Sequence, residues 1–375
     1  MGHENNNESY KALFVAAPGI YLLNHSVGRP PVSTHDNWLS AFLEPWERGG
    51  DKVWPHWLEA IDGFRTALAG LLNGQRANFC PQVNLSSALT KILTSITPPE
   101  SQRTIVYTEQ DFPSMGFVLQ QAQQNGYKLH AIPDTADTGH IEAWEQYLCP
   151  DAGIALITHV HSNTGKQVPV ADICALARSK NIVSVVDIAQ SVGVVPIDLG
   201  AWAADFVIGS CVKWLCGGPG AGFLWVDSGR LAQCEPTDVG WFSHEAPFEF
   251  DIHNFRYAAD ALRFWGGTPS VQPYVTAANS IRLMQEISVA KIREHNLALT
   301  QQIIDAVVQD VLVTPPGAQH RGGTVVLHHR EQEQKRVCAR LRSAGVDFDV
   351  RPTGIRLSPH IYNDVDEIEA VVEAL

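Results

Sequence analysis

The chain has 375 residues, 45% of them apolar and 18% charged, which suits one large and one small globular domain. A formal charge of −13 and the lack of any Lys/Arg block argue against nucleic acid or an anionic membrane surface as partner, because neutralising phosphates takes clustered cations. Seven cysteines, an odd set with no C-x-x-C pair, fit reduced thiols in a cytoplasm and no disulfide framework.

Met1 to Ser9 is polar and Asn-rich, without the apolar core of a signal peptide, and no stretch approaches the ~18 apolar residues of a membrane helix. The expected compartment is the cytoplasm. Residues 1–55 are rich in Trp, Pro and Gly and read as an irregular arm packing on the C-terminal lobe or a partner subunit. From 56 to 268, helical periodicity alternates with β-branched runs, which predicts an α/β domain with a mostly parallel mixed sheet flanked by helices. Helices are expected near 57–73, 84–97, 114–125 and 169–180, and strands near 104–107, 128–132, 154–159, 182–187, 205–209 and 222–226. The remainder, 269–375, reads as a smaller α+β domain: a helical stretch to about 310, strand 323–328, helix 331–344, strands near 347–350 and 355–358, and a last helix from Asp364.

Two residues carry the chemistry. Lys213 sits in the apolar segment Phe206 to Gly220, and Asp187 ends the run Ile182 to Val186, 26 positions earlier (213 − 187 = 26). An amine among apolar residues loses solvation for its charged form, so its pKa falls and it becomes a nucleophile toward an aldehyde. A carboxylate at the end of a buried strand can hold a pyridinium nitrogen protonated, as pyridoxal phosphate requires to act as an electron sink. Together they suggest a cofactor imine.

Other segments are weaker alone. Gly217 to Gly222 contains a dinucleotide-like glycine pattern, but it precedes a strand instead of opening a helix, so a nicotinamide site fails on context and a flexible approach to the lysine is expected. The backbone N–H groups of Gln82 and Val83, before the amphipathic run from Ala88, are placed to meet a phosphate at a helix start, with Ser210 and Thr268 as hydroxyl donors. Phe112 follows a strand and can stack on a flat ring. His159 and His161 share a side by the two-residue period, yet no third ligand stands at sensible spacing, and no metal is expected. Arg356 offers a two-donor fork for a carboxylate.

Taken in order, from about Tyr21 to the C-terminus, these segments resemble the class V branch of fold-type I pyridoxal-phosphate enzymes. The resemblance implies roles: Lys213 in Ser210-Cys211-Val212-Lys213 as the Schiff-base residue, Asp187 on the pyridine nitrogen, Gln190 on the phenolic oxygen and Arg356 on the substrate carboxylate. It also implies that Thr158 to Gly165, with His161, lies beside the cofactor, and that Thr268 in Gly267-Thr268-Pro269 reaches the phosphate of a neighbouring subunit, hence a homodimer. Gly240 to Glu245, with Trp241 as a cofactor contact, and Phe112-Pro113-Ser114 resemble kynureninases, whereas Tyr21 to Gly28 is similar to isopenicillin N epimerase-like members. Val212, Met115 and Thr268 stand where a kynureninase has Tyr, Asp and Asn, and no cysteine occupies the loop before Arg356 where a cysteine desulfurase has one. The expected activity is transamination or lyase chemistry on a small or aromatic α-amino acid, with kynureninase-like hydrolysis, racemisation and a non-catalytic scaffold as alternatives.

Overall fold

The computed structural model describes residues 10–375. Strand β1 (Ile20–Tyr21) belongs to the N-terminal arm, and the next seven build one sheet: β2 (Phe79–Gln82), β3 (Thr104–Thr108), β4 (Lys128–Ile132), β5 (Ala152–Thr158), β6 (Val183–Asp187), β7 (Phe206–Ser210) and β8 (Gly222–Val226). Their order is β2-β8-β7-β6-β5-β3-β4, and all neighbours are parallel except at β8, which is antiparallel to both β7 and β2. β5 and β8 are buried along their whole length, as expected for strands covered on both faces.

The two-residue period divides each strand between two cores. Ala155, Ile157, Val186 and Val207 join a core that includes α1 (Val53–Leu71), while Ile154, Leu156, Val185 and Ile208 join one that includes α2 (Leu85–Ser95) and α3 (Pro113–Ala122). The first core also takes in α4 (Ile141–Tyr147) through buried Trp144, α5 (Val170–Ser179) and α6 (Gln272–Ile287). Arg65, buried on α1, donates to the Phe79 carbonyl at 2.8 Å and to Asp260 at 2.6 Å, joining helix, edge strand and the turn before residue 261.

A third core forms the C-terminal lobe from Leu299, Val325, Val337, Ile355 and Ile368, contributed by α7 (Val289–Asp305), β9 (Val325–Leu327), α8 (Glu331–Ser343), β12 (Gly354–Leu357) and α9 (Val365–Ala374). The small domain expected from 269 therefore begins later. α6 packs on α1, with the Phe64 and Tyr274 rings 5.1 Å apart, and the chain turns at Ser288, φ 80°, into α7. Within α7, Ile292 still faces the first core and Leu299 faces the third. A continuous helical pattern hid this change of partner.

The arm binds the lobe: β1 pairs in parallel with β10 (Val346–Asp347), and Leu22 lies in the third core. It then crosses to the large domain, where Gly28 donates to the Val212 carbonyl at 2.8 Å; a Cβ at Gly28 would run into the Lys213 carbonyl oxygen. Residues 34–48, expected to be irregular, are helical turns instead. Trp38, Phe42 and Trp46 recur at i, i+4 spacing, and their rings lie 5.8 Å apart in succession. β2 was hidden by Pro81, which an edge strand accommodates. Among the described residues no helix is long and apolar enough to cross a membrane. All seven cysteines are free thiols.

Candidate active site

Parallel strands deliver their C-terminal ends to one side of the sheet, where α/β proteins place their ligands. There a cavity of about 180 Å³ is lined by Thr158, Asp187, Ser210 and Lys213, from the ends of β5, β6, β7 and the loop after β7. Phe112, half-exposed just before α3, supplies another wall, and the Lys213 ammonium lies 5.6 Å from its ring centroid.

Burial lowers the pKa of the Lys213 amine below that of an ordinary lysine; the Asp187 carboxylate acts against this shift and Arg356 adds to it. Burial likewise raises the pKa of Asp187, opposed by a hydrogen bond from the Ala189 amide at 2.8 Å and by Lys213. Each group is thus pressed toward its neutral form, and the pair gains from any ligand that offers an aldehyde to one and a basic ring nitrogen to the other. Such a ligand is what Lys213, Asp187 and the flat face of Phe112 fit.

Gln190 also lines the cavity, and Trp214 fixes it: the indole Nε1 donates to Gln190 Oε1 at 3.2 Å while Gln190 Nε2 donates to the His25 carbonyl at 3.1 Å. One amide N–H remains for a ligand. Trp214, fully buried, is held in turn by His360 Nε2, which donates to its carbonyl at 3.1 Å. Neither Trp214 nor His25 stood out in the sequence, because their partners are brought in by the arm and the C-terminal lobe.

Several expected contacts fall elsewhere. Asn84, Leu85 and Ser86 line the cavity, with Asn84 capping α2 through Ser87 N at 2.8 Å, so the helix start meets the site but Gln82 and Val83 do not. Gln82 Nε2 donates to the Phe264 carbonyl at 3.1 Å, and Gln82, Val83 and Thr268 line a neighbouring cavity. His161 is buried beside Asp111, 3.9 Å away, while Val160 and Ser162 take the cavity wall. Trp241 stands in a separate apolar hollow, stacked on Phe250 at 6.0 Å. The glycines Gly217 to Gly222 do not line the site; Gly218 and Gly220 have positive φ, and a Cβ on Gly217 would crowd Ala277 of α6. Their purpose is a tight turn against a helix, not access to the lysine. Among the described residues, no group of three or more His, Cys, Asp or Glu side chains could hold a metal ion.

Arg356 departs most from expectation. Its guanidinium is paired within the chain, Nε to Asp349 Oδ1 at 2.7 Å and Nη2 to Oδ2 at 2.6 Å, with Nη1 on the Ser162 carbonyl at 2.9 Å.

The sheet with its single reversed strand and the lysine and acid at its C-terminal edge define a fold-type I pyridoxal-phosphate enzyme. The family profile for class-V aminotransferases matches residues 56–371, and the chain belongs to that family. Relatives include an uncharacterised aminotransferase, YcbU, of Bacillus subtilis, 26% identical over 86% of this chain and 85% of its own length. A kynureninase of Deinococcus radiodurans is 28% identical over 90% of this chain and 83% of its own. Among solved structures, a lysine-to-alanine mutant of C-DES with glycine covalently linked to the PLP cofactor superposes with a TM-score of 0.86 at 18% identity, covering 99% of this chain and 98% of that one. A cysteine desulfurase from Thermococcus onnurineus gives 0.83 at 19% identity, over 95% and 93%.

Proposed function

We propose that the chain transforms a small or aromatic α-amino acid on pyridoxal 5'-phosphate, by transamination or lyase chemistry. One observation carries this reading: the Lys213 amine, the Asp187 carboxylate and the Phe112 ring share one cavity. The bound cofactor supplies an aldehyde and an electron-poor ring. Lys213 would hold the aldehyde, and its Nζ, pressed toward the neutral form by burial, would serve as the base for the α proton of an amino acid. Asp187 would keep a proton on the ring nitrogen, and a cationic partner there would offset the desolvation that otherwise favours its neutral form. Phe112 would hold the ring plane, Ser210 and the start of α2 would receive the phosphate, and the remaining N–H of Gln190 would serve the phenolic oxygen.

Thr268 lies apart from Lys213, in the cavity with Gln82 and Val83, which supports its serving a second copy of the chain in a homodimer. Kynureninase-like hydrolysis is the second reading, favoured by the Deinococcus relative. Met115, an apolar side chain on the cavity wall, tells against it. Persulfide transfer is disfavoured because Cys338 is buried in α8.

A visible absorbance band on the purified protein, absent in Lys213→Ala and shifted by amino acids, is the expected result; a band indifferent to every amino acid would favour the scaffold alternative. Product analysis then separates the branches: a keto acid, ammonia with pyruvate, alanine with anthranilate, or the opposite enantiomer.

A further inference from the structure

Asp349 stands opposite Arg356 in the hairpin of β11 (Asp349–Arg351) and β12, and its carboxylate takes the side-on edge, Nε and Nη2, that a substrate carboxylate would need for two parallel bonds. The third bond, from Nη1 to the carbonyl of Ser162, ties the arginine to a residue of the Lys213 cavity. Arg356 therefore reaches the site wall with its fork already filled. Two features mark Asp349 as the partner able to move. Its side chain is 24% exposed against 7% for Arg356. Beside it, His25 is buried, its Nδ1 bonded to Ser358 Oγ at 2.6 Å, while its Nε2 makes only a long contact of 3.4 Å to Asp349 Oδ1; Arg351 Nε lies 3.2 Å from Oδ2 on the exposed side. A buried ring nitrogen left without a partner costs stability, and a modest rotation of Asp349 toward it would complete the bond.

We propose that Asp349 is an internal stand-in for the substrate carboxylate, closing the Arg356 fork until an amino acid displaces it and then docking on His25 Nε2. The inference rests on the amino-acid reading of the site. It makes Asp349 and His25 determinants of specificity: a ligand must bring a carboxylate strong enough to win the exchange, and the chain's own carboxylate lowers the apparent affinity of every such ligand by the fraction of time the fork is closed.

The experiment titrates the cofactor-loaded protein with glycine and with methylamine, which lacks the carboxylate, following the visible band in wild type, Asp349→Asn and His25→Leu. Asp349→Asn is expected to tighten glycine about tenfold and His25→Leu to weaken it by a similar factor, with methylamine changed less than about twofold in both. Propionate binding measured by calorimetry on the Lys213→Ala chain is expected to follow the same order without any imine. Weaker glycine and propionate binding in Asp349→Asn would overturn the exchange, making Asp349 a fixed support for Arg356. Parallel changes for glycine and methylamine would overturn it too, as a general disturbance of the cavity. A wild-type band indifferent to glycine and to every other amino acid sinks the amino-acid reading instead, and the propionate series still judges the exchange.

Discussion

Opposing forces act on the amine of Lys213, since burial favours its neutral form and the Asp187 carboxylate its charged one. Burial wins. The expected outcome is that trinitrophenylation of Lys213 in cofactor-free protein is half-maximal below the ordinary lysine value of 10.5, and lower still in Asp187→Asn, where the one contribution raising the pKa is gone. A midpoint at or above the surface-lysine value would contradict that balance. At this scale, legibility follows locality. Lys213, Asp187, Ser210 and Phe112 could be picked out because each sits at the end of an apolar run, and a strand end is visible in the order of residues. His25 and Trp214 could not, because nothing near them in the chain reveals the partners they meet; Asp349, seven residues from Arg356 in a hairpin, was within reach of pattern but was not singled out. Gln82, at the end of β2, lines the hollow beside the Lys213 cavity together with Thr268, since a chain written in one dimension does not say which of two adjacent hollows a residue will face.

Helices and strands were read where pattern is dense and missed where a single residue masks it. Six of the seven sheet strands announce themselves by β-branched, aromatic or alternating apolar residues, and Pro81 disguises β2. The arm's i, i+4 aromatics are a helical signal that its prolines and glycines drown out. The joint between elements is the more fragile level. Arg65 anchors α1 to β2 and to Asp260 from a buried position, so Arg65→Ala leaves the Phe79 carbonyl without this donor and Asp260 Oδ2 without its cation, while Oδ1 keeps the Leu262 amide. Its expected cost is about 3 kcal/mol in urea unfolding, since removing one partner strands the other; a loss below ~1 kcal/mol would mean that water replaces the guanidinium.

Across the whole molecule, buried histidines set the response to acid. Burial lowers His159 and His360 to about 3 and His161 to about 4, from an ordinary 6.5. The unfolded chain therefore binds protons that the folded one refuses. Stability is fully present above pH 6.5 and is lost as pH falls toward 4, by on the order of 2 kcal/mol per histidine at pH 5. Asp111, pushed up to about 6 by burial, opposes this with reversed sign, because it takes its proton in the folded state. Asp187, also raised by burial, acts with Asp111, but three histidines outweigh these two acids, so urea midpoints are expected to drop steadily between pH 6.5 and 4; a flat profile would show that the rings reach water. The sheet order and the exchange of α7 between two cores also belong to this scale, and neither is written in any local pattern.

The parallel pairing of Ile20 with Val346 spans 326 positions (346 − 20 = 326). During synthesis the leading segment leaves the ribosome long before the strand that receives it exists, and closing so wide a loop is slow. Gly28, which caps the backbone at Val212, travels on that same segment. The segment that packs against the backbone of Val212 and Lys213 is thus among the last pieces to be fixed, because its partner strand is made so much later.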